Sequence, residues 1–321
     1  AYKKIFIIAE IGTNHNNSYE TCKKLIFLAK KSGCDAVKFQ IFKADQLLQK
    51  KNSGHSVLKK HETPIEWISK ISKLCKKLNI FFICSPFFLD AVKILEKNKC
   101  DALKIASPEI KNIPLITECL KTKLPIIIST GYCNKKDTDR VYSMISKNKK
   151  KSYGLLHCVS EYPAQIKSSN LNMINFLKDR YKNIAIGFSD HSVGTDISIC
   201  GVSMGAAIIE KHITLSKTQN GPDHFFALNP IELIDLVKKI RNFEIAHGNY
   251  VKKIIKGENK VFISAITKKK LVKNSRIKLN DLTFKRTRNI GINHWDLKKI
   301  LNKKINKDLK EDYKITFKDF N

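Results

Sequence analysis

No apolar run in this chain approaches the roughly 20 residues needed to cross a bilayer, so the sequence offers no candidate membrane helix. The opening stretch AYKKIFIIAEIG is too short and too alternating for a secretory signal and reads as a strand. There is no CxxC pair: the nine cysteines, an odd number, are scattered singly. That pattern argues against a disulfide framework and for thiols kept reduced in the cytoplasm. Arginine is scarce too. Six arginines (Arg140, Arg180, Arg241, Arg276, Arg286 and Arg288) leave 54 of the 60 basic residues as lysine. The planar guanidinium is the group best suited to bidentate phosphate and base contacts. The formal net charge of +31 is therefore not read as a nucleic-acid surface. The lysines sit on the polar faces of helix-like segments such as LAKKSGCD and KLCKKLNI, where their summed field favours anionic substrates.

What is present is an alternation. Short apolar runs recur at 5–10, 36–40, 80–85, 102–107, 125–130, 153–160, 184–190 and 206–214, all rich in Ile, Val, Leu and Phe. Stretches of helical periodicity fall between them, such as SYETCKKLIFLAKKSG and FLDAVKILEKNKC. Strand alternating with helix implies a parallel sheet. Eight such units in about 215 residues predict a closed (β/α)₈ TIM barrel. A doubly wound open sheet would normally carry a glycine-rich phosphate loop after its first strand, and AEIGTNHN is not one. The helix PIELIDLVKKIRNFEIAHG (230–248) should close the barrel. The texture then changes, predicting a catalytic barrel over 1–248, a linker over 249–262 and a small β-rich domain over 263–321. Its expected strands lie in ISAITKKKLV, SRIKL, LTFKR and YKITF.

In such a barrel the active site lies at the C-terminal ends of the strands, and polar residues collect at all eight. Strand one leads into Glu10, Asn14 and His15; strand two carries Lys38 and Gln40 on one face by period-two alternation. Ser85 ends strand three; Lys104, Ser107 and Glu109 follow from strand four. Strand five ends in Ser129 and Thr130, and strand six leads to His157, Ser160, Glu161 and Tyr162. Strand seven ends in Ser189, Asp190 and His191. Strand eight places Glu210 and His212 on one face, with GPDH (221–224), including Asp223, in the loop beyond. A lysine inside an Ile/Val-rich strand is costly unless an anion or carboxylate meets it. Lys38 and Lys104 among serines therefore suggest a phosphate and carboxylate cradle. Each serine alone could be a local cap. A lone histidine is more often structural than a ligand. Neighbouring strands, however, lie about 4.8 Å apart, so His191 and His212 at one level could share a divalent cation. Asp190 is expected to cap a helix or support a histidine.

The ordered motifs AEIGTNHN, DAVKFQIFKA, CSPF, KIASPEI, STG, HCVSEYPA, GFSDHSVG, IIEKHITL, GPDH and FKRTRNIGI span essentially the whole chain. Taken together they resemble the N-acetylneuraminate (sialic acid) synthases and their relatives making legionaminic and pseudaminic acids. The resemblance implies a TIM barrel followed by an antifreeze-like (SAF) domain, in a cytoplasmic, domain-swapped homodimer. It implies condensation of phosphoenolpyruvate with the open-chain aldehyde of N-acetylmannosamine or a related amino sugar. Phosphate is released and a nine-carbon 2-keto acid results. A divalent metal, Mn²⁺ with Mg²⁺ or Co²⁺ as alternatives, would bind His191 and His212. Lys38, Ser85, Lys104, Ser107, Ser129, Ser160 and Ser189 would hold phosphoenolpyruvate. Glu109, Glu10 and Lys104 would serve the catalytic step. Gln40, Tyr162, Glu210, Asp223 and Arg286 would serve the sugar side, Arg286 from the neighbouring subunit. The family's KRP near Arg286 reads KRT here, which removes a rigidifying proline. Ser85 replaces a common Thr and Ser160 an occasional Asn, while Phe262 and Ile263 stand where paired arginines often precede the SAF domain. Alternatives are legionaminate or pseudaminate synthesis, a related octulosonate- or heptulosonate-type synthase, and a non-catalytic polyanion-binding barrel.

Overall fold

A computed structural model of the protein describes residues 4–147, 151–258 and 261–321. Residues 259–260, inside the expected linker, lie outside the described residues, as do 1–3 and 148–150 of the expected barrel. Eight parallel strands close into a barrel in sequence order: β1 (Phe6–Gly12), β2 (Ala36–Ile41), β3 (Phe81–Pro86), β4 (Ala102–Ile105), β5 (Ile126–Ser129), β6 (Tyr153–Cys158), β7 (Ala185–Asp190) and β8 (Ile208–His212). The expected (β/α)₈ barrel is thus the observed one. Closure is made by β1 against β8, which pairs Glu10 with His212.

The helices form where the sequence supplies caps. Ser18 accepts a hydrogen bond from the Thr21 N–H to start Tyr19–Ser32, and Gly33, at φ +87°, ends it. Asn229 and Glu232 cap Pro230–Ala246 reciprocally, with proline at the first helical position. Apolar side chains occupy both strand faces. Ile8, Ile83, Ile127, Leu156 and Ile208 fill the barrel interior, and Ile7, Phe39, Leu103 and Ile209 pack outward under the helices. Buried on both faces, these strands have no clean alternation until their C-terminal ends, where inward positions turn polar.

Three of the expected strands run two residues past the observed C-terminal ends. β4 stops at Ile105 and a 3₁₀ turn begins at Ser107, because Pro108 has no N–H to continue a ladder. β6 stops at Cys158. β8 stops at His212, after which Thr214 bonds the returning Leu228. These early stops place Ser107 and Ser160 in loops rather than on strands.

The chain divides into two compact units, one ending at Gly248 and the other beginning at Asn249. In the second, β9 (Phe262–Thr267) and β10 (Leu282–Thr287) form an antiparallel pair, around a core that includes Ala265, Leu271, Ile277, Ile300 and Ile315. SRIKL and YKITF supply only isolated bridges, at Arg276 and Lys314. Among the described residues, no helix is long and apolar enough to cross a membrane.

Candidate active site

The C-terminal end of the barrel holds two adjoining groups of polar side chains. Lys38 and Lys104 are each at most 3% exposed, inside the barrel. Neither could stay charged there without a counter-ion, and Glu210 is that partner. Its Oε1 lies 3.4 Å from Lys38 Nζ and 3.3 Å from Lys104 Nζ, and it accepts the Ser189 hydroxyl at 2.9 Å. Lys104 also donates to Ser129 at 2.7 Å. Lys38 reaches Glu10 Oε1 at 3.3 Å, where Gln40 donates at 2.7 Å.

Burial alone would raise both carboxyls, but their surroundings drive them apart. Against that burial, the Lys104 and Lys38 ammoniums hold Glu210 down at about 2. Glu10 has only Lys38 at ion-pair distance and also feels Glu210, so burial pushes it up to about 7. The site therefore sets two ammoniums against one firmly ionised carboxylate. A bound anion suits that balance.

Gly12 makes this crowding feasible. A bulge between Glu10 and Gly12 turns the strand end, and Gly12 adopts φ +51°. A Cβ there would lie 3.1 Å from Glu10 Oε1, 3.4 Å from Gln40 Nε2 and 3.5 Å from His212 Cε1.

Glu10 yields a stability prediction. Its carboxyl titrates near 7 in the folded chain against an ordinary 4.5, so between those values the folded protein holds a proton that the unfolded chain releases. The stabilisation is complete below pH 4.5 and is lost as the pH rises through 7, about 3 kcal/mol in all. Glu10→Gln should remove it. Urea unfolding from pH 4.5 to 8 should show wild type losing that much stability relative to the variant; parallel pH profiles would refute the assignment.

The second group is the histidine pair. The His191 and His212 rings lie 5.4 Å apart, centroid to centroid. His191 Nδ1–H donates to the Val159 carbonyl at 2.8 Å, which leaves the Nε2 lone pair free. His212 Nδ1 is buried without a hydrogen-bond partner and lies 3.7 Å from Asp223 Oδ2. Burial, then the neighbouring His191 and Lys38, holds His212 well below the usual imidazole value, so it is neutral, as a metal ligand must be. Among the described residues, no group of three His, Cys, Asp or Glu side chains forms a ready metal cage. The pair can thus supply two ligands and leave the remaining positions to water and substrate oxygen.

The NeuB family model matches residues 25–252. The chain belongs to the NeuB family. It is 37% identical over 330 residues to an N,N'-diacetyllegionaminic acid synthase of Campylobacter jejuni, covering 97% of this chain and 98% of that one. It is also 37% identical to the N,N'-diacetyllegionaminic acid synthase of Legionella pneumophila, over 88% and 85% of the two chains. The crystal structure of an N-acetylneuraminic acid (sialic acid) synthetase from Leptospira borgpetersenii, in complex with citrate, is 32% identical. It superposes with a TM-score of 0.76, covering 80% of this chain and 89% of that one.

Within this NeuB chain most of the expected site residues come together. Lys38, Lys104, Ser129, Ser189, Glu10, Gln40 and Glu210 form one bonded cluster. Glu210, expected on the sugar side, sits among the lysines. Ser85 Oγ is buried and unpartnered at the end of β3, where its Cα pairs with Gln40. The Ser107 hydroxyl accepts from the Gly131 N–H at 3.0 Å, and Ser160 closes on the same glycine, within 2.2 Å of where its Cβ would stand. Glu109, in the turn after β4, accepts from Asn112. Tyr162 is 45% exposed, with its ring tilted against His191 at 4.2 Å between centroids, and Asp223 accepts from Thr13. Arg286 is exposed on β10, in the second unit.

Four of the polar strand-end residues serve the scaffold instead. His15 bonds Thr63 and Asn17, and burial holds it near pKa 4. Thr130 donates to the Leu156 carbonyl. His157 faces outward, bonded to Ser169 and stacked on Phe188. Glu161 caps a turn at Gln165. The Asp190 carboxylate bonds no imidazole; it accepts from Ser192 N–H, the Ser198 hydroxyl and the Lys211 ammonium. Sequence reasoning missed Phe226, buried against both histidines, and Cys158, whose sulfur lies 3.9 Å from His191 Nδ1. Period-two alternation from Leu156 would have pointed to Cys158; nothing local points to Phe226.

Proposed function

We propose that the protein is a sugar-acid synthase that joins phosphoenolpyruvate to the open-chain aldehyde of an N-acetylated amino sugar, releasing phosphate. The observation that carries this reading is the adjacency of an anion-holding cluster around Lys38 and Lys104 and a cation-holding pair, His191 and His212. Sialic and legionaminic acid synthases among the family's members support the reaction class.

In this reading Lys38, Lys104, Ser85, Ser107, Ser129, Ser160 and Ser189 hold the phosphate and carboxylate of phosphoenolpyruvate and place its C3 over the aldehyde carbon. Such positioning and fixed donors account for several kcal/mol of barrier reduction. A bond forms between C3 and the aldehyde carbon, water adds at C2, and the resulting tetrahedral centre breaks its C–O bond to phosphate. Glu10, titrating near 7, and Glu109 are the proton-handling groups. His191 and His212 would hold a divalent cation, Mn²⁺ in our assignment, which would supply Lewis acidity toward the aldehyde. Gln40, Tyr162 and Asp223 face the sugar, and Glu210 keeps the lysines charged until substrate arrives.

The second unit is in this view an SAF domain of a cytoplasmic, domain-swapped homodimer, with Arg286 entering the partner subunit's site to meet the N-acetyl group. All nine cysteines are free thiols, which fits a reducing compartment. Arg286→Ala is expected to raise KM for the sugar about tenfold and leave KM for phosphoenolpyruvate within twofold; an unchanged sugar KM would remove the residue from this role.

The acceptor is N-acetylmannosamine or a close relative. A diacetamido-trideoxy hexose is the second reading, favoured by the two legionaminic acid synthases among the relatives. Phosphate release with Mn²⁺, phosphoenolpyruvate and a panel of these sugars, their 6-phosphates and arabinose 5-phosphate tests both. Turnover only with arabinose 5-phosphate, or with none of the panel, would overturn the proposal.

A further inference from the structure

Behind the histidine pair, on the outer face of the barrel, lies a charged network that the reaction itself does not require. Asp190 and Lys211 are each 1% exposed and directly paired across β7 and β8, with Nζ 2.8 Å from Oδ2. This rung is the last between the two strands, and the histidines come immediately after it. His212 is still tied by its backbone: its Cα pairs with Glu10 on β1, and its carbonyl accepts from Leu228 N–H. His191 lies past the end of β7, where its carbonyl accepts from the Ala164 N–H but no strand partner holds it. The residues flanking it, however, are both tied to the same ammonium. Lys211 donates to Asp190 on one side and to the Ser192 carbonyl on the other, while Asp190 Oδ1 accepts the Ser192 N–H at 2.8 Å. Ser198, from the helix Asp196–Ser203, completes the carboxylate's bonding.

We infer that the Asp190–Lys211 ion pair is a positioning clamp that brackets His191 and sets its distance from His212. A buried ion pair is a poor source of stability, since apolar residues of similar volume commonly do as well or better. What this pair does that an apolar pair cannot is to fasten β8 to the backbone on both sides of a residue beyond the ladder. Groups that orient metal ligands from behind usually influence metal affinity 10- to 100-fold. The inference rests on the reading that His191 and His212 bind a divalent cation.

The test uses the full-length chain and Mn²⁺ alone, titrated by electron paramagnetic resonance, with thermal melts run in parallel. Wild type is compared with Lys211→Met, with the double variant Asp190→Leu/Lys211→Met and with His191→Ala. Removing both charges together avoids stranding one of them but takes partners from the buried Ser192 N–H and carbonyl and the Ser198 hydroxyl. The double variant is therefore expected to fold with a lowered melting temperature and to bind Mn²⁺ 10- to 100-fold more weakly. Affinity within twofold of wild type in the folded double variant would overturn the clamp, whatever the melting temperature, provided His191→Ala has lost binding. If wild type binds no Mn²⁺, or His191→Ala binds it normally, the two-histidine reading fails and the clamp falls with it.

Discussion

Lys104→Met should lower phosphate release by about 10³-fold while the barrel stays folded. The lysine is buried, 2.7 Å from Ser129 and 3.3 Å from Glu210, and methionine nearly matches its length without its charge. Glu210 would keep Lys38 and the Ser189 hydroxyl as partners, so the substitution does not strand a bare carboxylate. What disappears is one of two fixed positive charges in a site closed to water, where a preorganised group of this kind contributes 10²- to 10³-fold or more to turnover. The loss should appear in kcat/KM for phosphoenolpyruvate, with an unchanged circular dichroism spectrum. A tenfold loss or less would mean that Lys104 is only a structural counter-ion for Glu210.

Gly131→Ala should have a comparable effect with no change of charge. A Cβ at this position would stand 2.2 Å from Ser160 Oγ, 2.7 Å from Ser107 Oγ and 2.9 Å from Ser107 Cβ, distances that real methyl groups do not tolerate. Rotation about χ1 would take each hydroxyl away from the new methyl, and the Ser107 Cβ cannot rotate aside at all, so both hydroxyls must leave the positions from which they would meet phosphoenolpyruvate. Displacement of a binding group by about 1 Å costs roughly 10²-fold in rate, and two groups move here. The expected result is a rise of at least 10²-fold in KM for phosphoenolpyruvate, with the sugar KM altered far less. Gly257→Ala, where a Cβ meets nothing within 4 Å and φ is not in the left-handed region, controls for the loss of a glycine as such. Wild-type kinetics for Gly131→Ala would dismiss the serine cradle.

These two residues show how far the sequence could be read. Lys104 was legible because a lysine in an Ile-rich strand needs an anionic partner. The identity of that partner was not: Glu210 lies 106 residues away and meets Lys104 only because the barrel closes. Gly131 sits in the STG motif, but its two serine neighbours come from the loops after β4 and β6, on either side of β5. His15 and His157 resembled site residues for the same reason that His191 did, as polar groups at the ends of buried strands. Bonds to Thr63 and Asn17 and to the Ser169 carbonyl remove them.

The sequence by itself determined the alternation of apolar strands with capped helices, the parallel barrel that follows, and the end of that barrel where polar groups collect. Local physics suffices for these, because strand and helix periodicity, caps and proline act over a few residues. Only the tertiary structure decided which polar residues face inward. Side chains alternate sides at every residue, and an early strand end, as at Ile105 or Cys158, transfers the next residues to a loop. It also decided the protonation states. Glu10 and Glu210 are the same residue type on neighbouring strands, and the second ammonium beside Glu210, with the Ser189 hydroxyl, separates a carboxyl held near 2 from one that burial pushes up to about 7.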